Sequence, residues 1–112
     1  MKKSEIKFTI TLDENKQPVA IDWEAQDSGM TGVKSARSLM ISLWDDKEKS
    51  TLRIDLWTKE MRVDDMQRFF YESLISMADT YHRATHDENH PRELREFAEK
   101  FMKTPPVSFS GA

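Results

Sequence analysis

Residues 51–59, TLRIDLWTK, alternate apolar and polar side chains with a period of two, and that pattern dictates a strand. Leu52, Ile54 and Leu56 fall on one face, and Arg53, Asp55 and Trp57 on the other. A strand divided in this way turns one side to a core and leaves the other, bearing charge and a large aromatic, in contact with water or a partner. It needs a neighbour to pair with. Residues 38–44 provide one, since Leu39, Ile41 and Leu43 alternate with Ser38, Met40, Ser42 and Trp44, and the turn-forming residues 45–50 join both runs into a hairpin. Pairing Leu43 with Leu52 sets Ile41 against Ile54 and Leu39 against Leu56. The same register gathers Met40, Trp44, Arg53, Asp55 and Trp57 on the opposite face.

The amino-terminal part has the same design. Ile6, Phe8, Ile10 and Leu12 alternate with Lys7, Thr9 and Thr11. After turn chemistry from Asp13 to Pro18, Val19, Ile21 and Trp23 alternate with Ala20, Asp22 and Glu24. Setting Leu12 opposite Val19, Ile10 opposite Ile21 and Phe8 opposite Trp23 places every large apolar group on one side. Residues 25–37 contain Gly29 and Gly32 and no sustained period, and read as a long connection.

From Val63 the period becomes 3.6. Val63, Met66, Phe70, Leu74, Met77 and Tyr81 form an apolar stripe of about five turns. Arg68/Glu72 and Asp79/Arg83 lie on the far side at i,i+4 spacing. Pro91 suits a first helical position, and Leu94, Phe97, Ala98, Phe101 and Met102 make the stripe of a second helix. The predicted fold class is α+β: a four-stranded antiparallel sheet of two hairpins with two C-terminal helices packed on one face. Residues 1–103 form the single domain, and 104–112, TPPVSFSGA, a flexible tail.

Composition excludes several functions. The net charge of −3 comes from interleaved charges of both signs, which provide no basic field for a nucleic acid. Cysteine is absent, so there is no disulfide and no thiol nucleophile. The opening MKKSEIKF has no apolar run behind its lysines, and the expectation is a cytoplasmic protein without signal peptide or membrane span. No glycine-rich phosphate loop or GxSxG is present, and the 20 carboxylates alternate with Lys and Arg on wet faces, with no pair isolated in apolar surroundings. The expectation is no enzyme, no catalytic residues and no cofactor. His82, His86 and His90 recur at four-residue spacing, with Asp79 one turn earlier, and could suggest zinc. The helix must end before Pro91, however, and the glutamate of HExxH is missing, so no metal site is assigned.

What remains is the leftover sheet face. Met40, Trp44, Arg53, Asp55 and Trp57 make a candidate partner-binding surface, with tryptophan as anchor and Arg53 giving direction. Ordinary burial of these aromatics under the 25–37 loop or the tail is the competing reading. A small-ligand binder or enzyme with a pocket between that loop and the helices is the alternative function, and a homo-oligomer joined through this face or a strand edge is a further one.

The phrases TLRIDLWTKEM (51–61) and FFYESLISMADTYHRAT (69–85), with KSEIKFTITLDEN at the start and WEAQDSG at 23–29, resemble the gliding-motility protein GldC family of Bacteroidota. The similarity runs from about Lys2 to Lys103. Two features depart from it: THDENHP lacks a glycine after the long helix, and the TPPVSFSGA tail has no counterpart. The resemblance implies a small non-enzymatic cytoplasmic protein that assists gliding, with a protein partner in a motility or secretion apparatus. It carries over no site residue.

Overall fold

Seven elements follow one another in the computed structural model, which describes residues 1–107. They are β1 (Ile6–Leu12), β2 (Pro18–Ala25), β3 (Lys34–Ala36), β4 (Ser38–Asp45), β5 (Ser50–Trp57), α1 (Val63–Thr85) and α2 (Asn89–Lys103). They belong to two compact units, the strands in residues 1–61 and the helices in 62–112. Of the expected 104–112 tail, Thr104–Val107 carry neither helix nor strand, and 108–112 lie outside the described residues.

The α+β class and the two C-terminal helices stand, but the single four-stranded sheet does not. β1, β2 and β3 form one antiparallel sheet in that order, and β4 and β5 a separate two-stranded ribbon. The difference lies in residues 25–37. Within that presumed connection Lys34–Ala36 pair with β2, Ala36 lying opposite Ile21 and Lys34 opposite Trp23. The chain then bends at Arg37 and enters the ribbon. Continued past Ala36, the β2–β3 register would require Ala20, Val19 and Pro18, and proline has no N–H to give to a ladder. The strand changes partner before that point, pairing with β5 from Ser38 on. Thr58 N–H closes the ribbon's end by donating to the Arg37 carbonyl at 2.9 Å.

Proline shapes the first hairpin as well. Phe8 pairs with Trp23 and Ile10 with Ile21 as expected, but a bulge between Thr11 and Leu12 sets Leu12 opposite Pro18 instead of Val19. The turn is held by Asp13, whose Oδ1 accepts from the N–H groups of Asn15 (2.8 Å) and Gln17 (3.0 Å). The Gln17 bond, foremost, keeps this carboxyl below its ordinary pKa. Ile21, between Ile10 on one side and Ala36 on the other, is only 1% exposed and is the core residue of the sheet.

At the Arg37 bend the buried Thr58 hydroxyl has no hydrogen-bond partner among the described residues. A buried hydroxyl without a partner costs about 1–3 kcal/mol, so Thr58→Val is expected to raise unfolding stability by about 1 kcal/mol in urea titration. A loss of similar size would show that the hydroxyl is hydrogen-bonded in solution.

In the helical unit, α1 runs to Thr85, beyond the five turns of the stripe. Phe70 stacks on Phe101 of α2 at 6.4 Å, and the Phe97 ring lies 6.3 Å from that of Phe101. The Gln67 amide donates to the carbonyls of Phe101 (3.2 Å) and Thr104 (2.6 Å), satisfying acceptors that a helix C-terminus leaves open. Arg68 pairs with Glu72 as its spacing predicts, at 3.6 Å. Asp79 instead reaches Arg95 of α2 at 2.8 Å, and Arg83 turns to the Thr80 hydroxyl. Pro91 is the third residue of α2, not its first; that position also lacks an intrahelical acceptor for its N–H, so the proline is tolerated there.

The missing glycine after α1 has a structural counterpart: His86 takes the left-handed conformation, φ 60°, that closes the helix. A side chain there costs roughly 1–2 kcal/mol, part of which glycine returns as chain entropy. His86→Gly should therefore stabilise the protein by up to about 1 kcal/mol, read as a higher denaturation midpoint.

Candidate functional site

Every expected pairing of the ribbon is present: Leu43 with Leu52, Ile41 with Ile54, Leu39 with Leu56. The register also sets Trp57 opposite Ser38, Asp55 opposite Met40, Arg53 opposite Ser42 and Thr51 opposite Trp44. Alternation puts these eight residues on one face, the five candidate residues among them. The turn is fixed by Asp45, whose Oδ1 accepts from the N–H groups of Lys47 (3.0 Å) and Glu48 (3.2 Å). Lys49 adopts a left-handed φ of 53° to bring the chain back.

The centre of the face is polar and locked. Arg53 donates through Nε to Asp55 Oδ2 (3.1 Å) and through Nη2 to Oδ1 (2.7 Å), a two-point bond that fixes the guanidinium plane. Its Nη1 donates across the ladder to Ser42 Oγ at 2.7 Å. Hydrogen bonding to Asp55, foremost, raises the arginine's pKa. The ion pair is exposed and adds little to stability, but it holds the charges in one orientation. Met40 is half-buried beside Asp55.

The two tryptophans stand at opposite corners. Trp44 is 63% and Trp57 59% exposed. Trp44 lies opposite Thr51, six residues along β5 from Trp57, so about 20 Å separates the two rings' positions along the ribbon. They cannot enter one pocket; a partner touching both must cover the ribbon's length. Trp57 also walls an open cavity of about 230 Å³ with Gln17, Pro18, Asp55, Leu56 and Lys59. Lys59 approaches Asp13 of the first turn at 3.7 Å. Ser42 and the Gln17–Pro18 wall were not foreseen as part of this surface, although the Leu43–Leu52 register alone places Ser42 opposite Arg53.

The histidine run does not converge. His86 is the cap of α1, Asp79 is held by Arg95, and His90 is bonded to Asp87 and meets the Tyr81 ring edge-on at 5.6 Å. Among the described residues, no three or more His, Cys, Asp or Glu side chains are grouped to hold a metal ion. A cavity of about 330 Å³ beside this pair is lined by Tyr81, His90, Glu93 and Leu94.

The Asp87–His90 bond makes stability pH-dependent. Chiefly through that bond, His90 is raised above its ordinary value of 6.5 and Asp87 lowered below 3.8. The His90 contribution is complete below pH 6.5 and fades as pH rises through the raised pKa. The Asp87 contribution is present above pH 3.8 and is lost as pH falls through the lowered one. Melting between pH 5.5 and 8.5 should show a small decline in the wild type that Asp87→Asn removes. That substitution keeps an acceptor for Asn89 N–H, which Asp87 Oδ1 engages at 2.7 Å. An equal decline in both proteins would count against this assignment.

Among the described residues no helix is long and apolar enough to cross a membrane. No curated protein and no solved structure matches the chain. The family described as gliding motility-associated protein GldC-like matches residues 18–105, which span both units. The chain belongs to this GldC-like family.

Proposed function

We propose that this protein is a non-enzymatic, cytoplasmic accessory factor of gliding motility that works by binding another protein through the ribbon face. What supports this reading is one observation: two largely exposed tryptophans flank an arginine–carboxylate pair whose geometry is already fixed. Exposed indoles lose water on contact with a partner and supply much of the affinity at interfaces, whereas a pre-oriented ion pair selects how the partner docks. The partner has an elongated surface with apolar sites about 20 Å apart, matching the ribbon. The family's description as gliding motility-associated supports looking for that partner in a motility or secretion apparatus.

Affinity capture from native lysate, wild type beside Trp44→Ala/Trp57→Ala, tests this, with circular dichroism confirming that both fold alike. An envelope or motility protein retained by the wild type and lost by the variant is the expected result. Recovery of the same proteins by both would refute the assignment.

A further inference from the structure

Among the described residues β5 has a ladder partner on one side only, so its outer N–H and C=O groups form an open edge. The apolar positions along that edge are symmetric about Ile54: Leu52, Arg53, Ile54, Asp55, Leu56. Read in the opposite direction it keeps its apolar positions and reverses its charges. We infer that β5 pairs antiparallel with β5 of a second copy of this chain, about a two-fold axis at Ile54, to form a closed dimer with a continuous four-stranded sheet. In that register Ile54 meets Ile54, Leu52 meets Leu56, and Arg53 of each copy faces Asp55 of the other. The Arg53–Asp55 bond inside each chain thus becomes part of a four-charge array with alternating signs. Each β5 edge is used once, so this two-fold contact closes at two copies, and β4 keeps its outer edge on either side of the sheet.

The pairing also joins apolar surface. Leu43, Leu52 and Ile54 are 57%, 54% and 49% exposed. On the dimer's sheet Ile54 meets Ile54 of the second copy, and Leu43 and Leu52 share a row with its Leu56, which brings scattered exposed groups into one apolar field. On the other face the consequence bears on the proposed function and rests on that reading. Thr51 of one copy falls opposite Trp57 of the second, and Trp44 lies beside Thr51. Trp44 and Trp57 of the second copy therefore share a row two strands apart, about 10 Å, in place of the 20 Å that separates the pair within one chain. Dimerisation turns two isolated indoles into two close pairs.

The test uses purified protein alone, so its failure is distinct from failure to find a partner. Light scattering across a concentration series should give twice the chain mass for the wild type. Arg53→Asp and Asp55→Arg each set like charges against one another at the axis and should weaken self-association at least about a hundredfold. The double substitution Arg53→Asp/Asp55→Arg restores alternation and should restore the dimer. The chain has no cysteine, so Ile54→Cys introduces one thiol per copy. Residues directly opposite across an antiparallel ladder have Cα atoms about 4.5–5.5 Å apart, within disulfide reach, and Ile54→Cys should oxidise to a covalent dimer whereas Thr51→Cys should not. A monomeric wild type would overturn the inference and leave Arg53 and Asp55 as charges guarding the edge. So would single variants that remain dimeric, a double variant that stays monomeric while folded, or assemblies larger than two.

Discussion

Ile21→Ala is expected to lower the unfolding free energy by about 3 kcal/mol, measured by urea denaturation. The side chain is 1% exposed and centred between the strands that flank β2, so its loss removes buried methyl groups and leaves a void that the pleated backbone cannot collapse to fill. Leu52→Ala deletes a side chain of the same size from a position that is 54% exposed, where about half as much surface or less is transferred back to water, and should cost about 1 kcal/mol or less at low protein concentration. The ratio of the two is informative. If Leu52→Ala proved as costly as Ile21→Ala, the apolar face of the ribbon would be covered in solution.

The ribbon was readable in the sequence because β4 and β5 both alternate strictly and flank a turn of defined chemistry, so only one register sets Leu39, Ile41 and Leu43 directly opposite Leu56, Ile54 and Leu52. The helices were readable for the same reason, their stripes repeating over several turns. β3 was not: Lys34–Ala36 is three residues long, carries no large apolar group, and takes its strand geometry from the hydrogen bonds of β2. The split of the sheet followed from that omission. Pro18, visible throughout, has no N–H for a ladder and so limits how far β2 could have continued onto β4. The Asp79–Arg95 pair was equally hidden, because i,i+4 spacing offers Arg83 as the local partner and only the packing of α2 against α1 brings a distant arginine closer. For the candidate site, alternation placed all five residues on one face. Alternation does not report distance along a strand, and the separation of the tryptophans emerges only from the row-by-row register.

That separation gives the second large effect. Alanine replacement of an anchoring tryptophan typically costs 2 kcal/mol or more, about a thirtyfold loss of affinity. Sites more than about 10 Å apart respond additively, so Trp44→Ala and Trp57→Ala should each weaken partner binding about thirtyfold and together about a thousandfold. Arg53→Ala should act differently, mainly by slowing association and reducing its salt dependence, since the exposed pair orients more than it stabilises.

The most direct test is the dissociation constant of the captured partner for wild type, the two single tryptophan variants and the double variant, each shown to be folded. Losses of about thirtyfold for each single change, multiplying in the double, are the predicted result. Unchanged affinity in the double variant would contradict the ribbon face as the binding surface.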